Sequence, residues 1–92
     1  MEIVFSVFSK NGKYIRLTEK QWKHISSRHP EMSSKLNEIN TALQNPTFIR
    51  KHSNSVDKFY RFLKKENKYI MVAVKILNGD GFVITAYKVK SI

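Results

Sequence analysis

The stretch that decides the fold is YIMVAVKILNGDGFVITAYKV, residues 69–89. Its first part, Tyr69 to Leu77, is a long run of apolar and β-branched residues, which is typical of a central strand. Asn78-Gly79-Asp80-Gly81 then provides turn residues, and Phe82 to Val89 returns as another strand. These two long strands, joined by a short turn, are therefore predicted to form the middle of a sheet.

Four further strands are predicted upstream. Thr47 to His52 and Lys58 to Leu63 directly precede the long hairpin. Ile3 to Phe8 is apolar except for one serine, which predicts a strand buried on both faces. Tyr14 to Leu17 is its expected return strand, and Asn11-Gly12 between them is a type I′ hairpin signal.

Two helices are predicted between these groups of strands. Thr18 is the expected N-cap of the first, with Gln21 completing a capping box, and Pro30 ends it. The second ends at Asn45-Pro46, and its apolar stripe is formed by Met32, Leu36, Ile39 and Leu43. Early helices and late consecutive strands predict an α+β fold, with two helices of the N-terminal half packed on a mainly antiparallel sheet.

Charge is the most informative bulk property of this 92-residue chain. Seventeen Lys and Arg residues oppose seven Asp and Glu residues, so the net charge is +10. A small domain of this charge repels itself, which favours a polyanionic partner, with nucleic acid first, over a merely solvated basic surface. The chain has no cysteine, no basic leader and no membrane-length apolar run, so we expect a cytoplasmic protein without a membrane partner.

The acidic residues do not suggest a metal site. They are scattered, as Glu2, Glu19, Glu31, Glu38, Asp57, Glu66 and Asp80. His24 and His29 also lack the i, i+4 spacing of a zinc motif, since a helix would place them about 140° apart. RNA cleavage without metal needs a base for the 2′-hydroxyl, an acid for the leaving 5′-oxygen, and cations or hydroxyls around the phosphate. The composition fits that chemistry, and we expect no metal and no cofactor.

The histidines each have an ordinary structural alternative. His29 shares the apolar helix face of Ile25, so it either caps the helix end from a half-buried position or serves the chemistry. His24 falls on the opposite face near Arg28, where a solvated surface role is the alternative. His52 begins a polar loop, where a surface role is again the default.

The strands supply the other candidates. Thr85 and Tyr87 alternate onto one face together with Val83 and Val89, as a platform for a phosphate or a stacked base, or as a solvent-facing pair. Lys75 interrupts an apolar run, so its ammonium must reach either water or an anion. The candidates for contacts with RNA phosphates or bases are Arg28, Arg50, His52, Tyr60 and Arg61.

Together these motifs resemble a known group of proteins. The segments WKHISSRHPEM, LQNPTFIRKHS, YRF, YIMVAVKI and GFVITAYKV are similar to the small phage and bacterial nucleases of the barnase–EndoU–colicin–RelE superfamily. The resemblance covers Leu17 to Val89. It implies one nuclease domain over residues 1–92, with two short helices on a curved sheet of about four to six strands whose open face holds RNA. It also implies metal-independent RNA cleavage through a 2′,3′-cyclic phosphate, as in a toxin silenced by an acidic antitoxin or immunity protein.

The residues that match the superfamily pattern are His24, His29, Arg50, Lys75, Thr85 and Tyr87. Which histidine acts as the base stays open. We hypothesise that Lys75, Thr85, Tyr87 and at least one of the two helix histidines face a single cleft. Two other function classes also fit the sequence: a catalytically inactive nucleic-acid-binding module, and a protein-interaction module that uses an exposed sheet edge.

Overall fold

The computed structural model of the protein describes residues 2–91 and contains six strands, two α-helices and one 3₁₀ turn. In chain order they are β1 (Ile3–Phe8), β2 (Tyr14–Thr18), α1 (Glu19–Arg28), the 3₁₀ turn Pro30–Met32, α2 (Leu36–Gln44), β3 (Phe48–Ser53), β4 (Val56–Leu63), β5 (Lys68–Ile76) and β6 (Asp80–Val89). The α+β class with two helices is confirmed, and the predicted strand bounds agree within two residues. Within these residues neither helix is long and apolar enough to cross a lipid bilayer.

The six strands form one mixed sheet in the order β1-β2-β6-β5-β4-β3. Neighbouring strands are antiparallel except β2 and β6, which pair in parallel where Tyr14–Arg16 faces residues 80–82. Both helices and three strands separate β2 from β6 along the chain. No local turn therefore sets their relative direction, and the sequence patterns could not predict it.

The core lies between the helices and one face of the sheet. The buried residues of this core include Val7, Ile15, Leu17, Ile25, Met32, Ile39, Leu43, Phe59, Ile70, Val72, Val74, Val83 and Ala86. The opposite side of the sheet, called the open face below, carries a smaller cluster without helix residues. Its members are Tyr60, Met71 and Ala73, with Phe48, Tyr69, Ile84, Tyr87 and Val89 around them.

An irregularity in β6 decides which of its side chains reach the open face. Val83 pairs with Val74, but Thr85 pairs with Ala73, so Ile84 is an extra residue that forms a β-bulge. The bulge reverses the alternation, since one additional residue moves every later side chain to the other face. Thr85 therefore shares the open face with Tyr87, as predicted, whereas the prediction that Val83 lies beside them is wrong.

Helix α1 is tied to β6 at this bulge. The Thr18 hydroxyl accepts a hydrogen bond from the Gln21 backbone N–H at 3.1 Å, which confirms the predicted N-cap. The Gln21 side chain does not return to Thr18 to complete the capping box. It donates instead to the backbone oxygen of Ile84. This bond joins the first turn of α1 to the part of β6 that β2 does not cover.

The β1–β2 hairpin differs from its prediction. The Gly12 N–H donates to the Ser9 oxygen at 3.0 Å, and of the central residues only Gly12 has a positive φ, at 83°. This geometry is a type I turn followed by a glycine bulge, because a type I′ turn needs two residues with positive φ. Strand β1 is also not buried on both faces: Ile3 and Phe8 are about half exposed. It pairs only with β2 and is therefore an edge strand.

The second helix begins later than its apolar stripe predicts. Pro30–Met32 forms a separate 3₁₀ turn, and α2 starts only at Leu36. Met32 nevertheless fills the core as expected, because the turn directs its side chain against the same sheet face.

Glu66 joins three elements on the helix side of the sheet. It lies in the β4–β5 turn and forms salt bridges with Lys88 of β6 and, at 3.0 Å, with Lys35 before α2. Hydrogen bonds from Lys88 first and Lys35 second lower the pKa of Glu66 to about 2. The pKa of Glu66 is therefore lower in the folded chain than in the unfolded chain. The two salt bridges of Glu66 stabilise the fold above about pH 4.5, and this stabilisation is lost as the pH falls towards 2.

We expect Gly81→Ala to destabilise the fold by about 1–3 kcal/mol, the usual cost of overpacking. A Cβ at Gly81 would lie 2.3 Å from the backbone oxygen of Lys75 and 3.1 Å from Ile15 Cδ1, so neighbouring strands must move. Urea unfolding followed by circular dichroism measures the loss. Gly79→Asn is the matched control, because a Cβ at Gly79 meets nothing within 4 Å and only the strain of its positive φ remains, which asparagine accepts more readily than most residues. Equal stability of the two variants would contradict this account.

Candidate functional site

His29 leaves the helix that carries it and reaches the last strand. Its backbone leaves the helical conformation, with φ −132° and ψ 78°, because the residue before a proline avoids the helical region. Its N–H still donates to the oxygen of Ile25 at 2.8 Å, so the backbone, not the ring, completes the helix end. The imidazole lies against the ring of Tyr87, with 5.0 Å between ring centroids and a tilt of 37°. His29 and Tyr87 therefore meet at the edge of the open face.

Glu31 is a neighbour of this pair that the sequence analysis did not single out. Its Oε2 lies 4.0 Å from Nδ1 of His29, at the limit of an ion pair and beyond a hydrogen bond. The His-Pro-Glu motif was the available signal, since the 3₁₀ turn after the proline brings residues 29 and 31 together.

The open face brings Thr85 and Tyr87 together but keeps Lys75 apart. Tyr87 pairs with Met71, and Lys75 lies four residues further along the same strand as Met71, which is about 13 Å at ordinary strand rise. The Lys75 ammonium donates to the Ser55 hydroxyl at 2.9 Å. Lys75 thus lies on the open face but apart from Tyr87, and its membership of a single cleft stays a prediction.

His24 is placed differently from His29. It is exposed, and the hydrogen bonds and ring contacts within residues 2–91 do not involve it. His24 and Arg28 follow Gln21 by three and seven residues, so all three lie on the side of α1 that faces β6. His24 and Arg28 are both exposed on the side of α1 that carries Gln21, and only His29 contacts Tyr87.

An aromatic stack occupies the open face at the other end of the sheet. Phe48 and Tyr60 are stacked, with centroids 4.8 Å apart and planes 19° apart, and Tyr69 meets Phe48 edge-on at 5.8 Å. The guanidinium carbon of Arg50 lies 5.2 Å from the Phe48 centroid and 5.9 Å from that of Tyr60. Arg50 and Tyr60 therefore form one surface on which a base can stack or a phosphate can be held.

The structure does not bring Arg61 and His52 to this surface. Arg61 pairs with Ile70 of the core, so it lies on the helix side, where its Nη1 donates to the Asn45 oxygen at 2.6 Å. Strand alternation already excludes Arg61 from the face of Tyr60, because adjacent residues point to opposite sides. His52 is exposed at an irregularity of β3, an edge strand three positions away from β6.

Lys58 is the site residue that the sequence analysis missed. It pairs with Arg50 on one side and Ala73 on the other, and so lies on the open face. Its position two residues before Tyr60 was a usable signal, since strand alternation places both on one face. The salt bridges of residues 2–91 involve neither Arg50, Lys58 nor Lys75, so these three cations give the open face its positive charge.

The side chains within residues 2–91 include no group of three or more His, Asp or Glu that could hold a metal ion together. No protein-family model matches this chain, and no curated protein and no solved structure is significantly similar to it. The superfamily suggested by the sequence motifs therefore stays a prediction, and the function must be argued from the site itself.

Proposed function

We propose that this protein is an endoribonuclease that cleaves single-stranded RNA on the open face without a metal ion. The observation that carries the proposal is the contact between His29 and Tyr87 at the edge of a positively charged, aromatic surface. An imidazole exchanges protons near neutral pH, and a phenol both donates and accepts hydrogen bonds. The pair combines the two functions that metal-free RNA cleavage needs.

In the proposed reaction His29 takes the proton from the ribose 2′-hydroxyl, and the 2′-oxygen attacks the adjacent phosphorus. The bond to the 5′-oxygen breaks, and Tyr87 gives this leaving oxygen its proton. The products are a 2′,3′-cyclic phosphate and a 5′-hydroxyl end, and the proton held by His29 passes through water to the Tyr87 phenolate, so that both groups return to their starting states. Thr85, beside Tyr87 on the open face, donates a hydrogen bond to a phosphate oxygen as charge builds there.

The rest of the open face suits an unpaired strand. Base stacking on the Phe48–Tyr60 pair and on the Arg50 guanidinium requires bases that are not in a duplex. Lys58 and Lys75 lie between this stack and β6, where they would hold phosphates. A toxin of this kind would be silenced by an acidic protein that covers the same face.

The second candidate function is RNA binding without cleavage. The stack of Arg50 on Phe48 and Tyr60 favours it, because this arrangement recognises bases and needs no proton transfer.

Cleavage in the absence of metal separates the two candidates. We expect purified protein in EDTA to cut single-stranded RNA and to leave 2′,3′-cyclic phosphate and 5′-hydroxyl ends, identified by mass spectrometry. Protein carrying His29→Ala, purified in parallel, controls for contaminating ribonuclease. Activity that requires added magnesium or zinc would refute the proposed chemistry. Binding without any cleavage would leave the second candidate.

A further inference from the structure

A groove beside the open face is lined by residues that have no role in the proposed cleavage. Strand β2 pairs with β6 only as far as Arg16 and Phe82, and the chain then turns away into α1. Between β2, the first turn of α1 and β6 lies a groove of about 350 Å³. Its lining residues are Arg16, Thr18, Lys20, Gln21, Phe82 and Val83. This space is called the β2–α1 groove below.

The β2–α1 groove has an aromatic surface with polar groups around it. Phe82 is 37% exposed and lines the groove, so part of its apolar side chain is available to a ligand. The bond from the Gln21 amide to Ile84 fixes the amide and leaves its side-chain oxygen as an acceptor. The volume lies near the lower end of the range for small-ligand pockets, about 300–1,000 Å³. This size and chemistry suit one nucleobase.

Two cations lie at the same groove. Arg16 donates to Asp80 at 3.1 Å, which holds its guanidinium in place and leaves further N–H donors. Lys20 is exposed and forms no salt bridge within residues 2–91. Because Asp80 partly neutralises Arg16, Lys20 supplies most of the attraction for a phosphate attached to the base.

The groove is too far from His29 to hold the nucleotide that is cut. Phe82 and Tyr87 are five residues apart on β6, which is about 13–16 Å allowing for the bulge. Stacked rings lie only about 4.5–7 Å apart, so the two positions belong to different nucleotides. Helix α1 follows β6 over this distance, from Gln21 beside Ile84 to His29 beside Tyr87.

We propose that the β2–α1 groove is a second nucleotide-binding site, which holds a base of single-stranded RNA on Phe82 and its phosphate on Lys20, at least one nucleotide away from the bond that is cut. The RNA then runs along β6 on the open face, from Tyr87 towards Phe82. This inference rests on the proposed function for the position of the cut. The binding of a base in the groove does not depend on cleavage.

The test measures binding with a probe that cannot be cleaved. A fluorescein-labelled oligouridylate with every 2′-hydroxyl methylated is titrated with the protein, and anisotropy gives the Kd. We expect Phe82→Ala to weaken binding about 10- to 100-fold, as alanine substitutions at base-stacking aromatics do. Phe8→Ala is the matched control, because Phe8 is an even more exposed phenylalanine on the edge strand β1, outside the groove. Lys20→Gln, at an exposed position, should weaken binding independently of the aromatic ring.

The outcomes separate this inference from the proposed function. If Phe82→Ala and Lys20→Gln both bind the probe as the parent does, the groove holds no base and the inference is overturned, whatever the protein cleaves. If the parent cleaves no RNA but both variants bind the probe more weakly than Phe8→Ala does, the nuclease proposal fails. The proposed nucleotide-binding site in the β2–α1 groove is then still supported. With an active parent, Phe82→Ala should raise KM for long RNA and leave dinucleotide cleavage unchanged.

Discussion

Replacing His29 by alanine is expected to slow RNA cleavage about 100- to 10,000-fold, the usual cost of removing a general acid or base. RNA binding should change little, since the cations and aromatic stack of the open face remain. The fold should also survive, because the helix end is held by the backbone N–H of His29 and not by its ring. Single-turnover cleavage of a short RNA, with the Kd measured separately, tests both expectations.

His24→Ala is the matched control for this prediction. His24 is the same residue type on the same helix, but it is exposed and does not contact Tyr87. We expect its cleavage rate to stay within about tenfold of the parent, well short of the loss expected at an acid or base. If instead His24→Ala is inactive and His29→Ala is not, the site is assigned to the wrong histidine. If both cut like the parent, RNA is not cleaved at this edge of the sheet.

Tyr87→Phe then separates the phenol from the ring. Phenylalanine keeps the surface on which the His29 imidazole lies and removes only the hydroxyl. A strong loss of rate with an unchanged Kd assigns the proton-donating role to Tyr87. An unchanged rate would mean that another group donates the proton to the leaving oxygen, while His29 would still act as the base.

The second large effect is the response of RNA binding to salt. Six cations border the proposed RNA path: Arg16, Lys20, Arg28, Arg50, Lys58 and Lys75. If each neutralises one phosphate of a single strand, log K should fall with log salt at a slope of about −4. Raising salt from about 50 to 200 mM should then weaken binding on the order of several hundredfold.

A pair of lysine variants shows whether the open face causes this dependence. Lys58→Gln removes a cation from the open face and should reduce the slope by about 0.7, the contribution of one phosphate contact on a single strand. Lys65→Gln changes the net charge equally, but Lys65 lies exposed in the β4–β5 turn, away from that face. It should leave the slope as it is. Equal slopes for the two variants would mean that net charge alone, and not the open face, attracts the RNA.

The six strands of this fold and the two ends of α1 follow from local patterns in the sequence. Residue periodicity located all six strands, because strand and helix periods differ and each depends only on neighbouring residues. Thr18 marked the start of α1 through a hydrogen bond across three residues, and Pro30 ended it through a steric clash with its own neighbour. The charge of +10 and the scattered acids, which direct attention to RNA and to metal-free chemistry, are likewise properties of the sequence alone.

The tertiary structure decided which side chains meet. Val83 and Ala86 are both buried in the core. In a regular strand their side chains would point to opposite faces, and the bulge at Ile84 brings them to the same face. The same bulge sets the open-face positions of Thr85 and Phe82.

The parallel pairing of β2 with β6 and the position of α1 beside β6 are also tertiary features. Together they create the β2–α1 groove and bring His29 to Tyr87. The residues involved are about 60 positions apart in sequence, and contacts over such separations are selected by burial of the whole core, not by propensities of short segments.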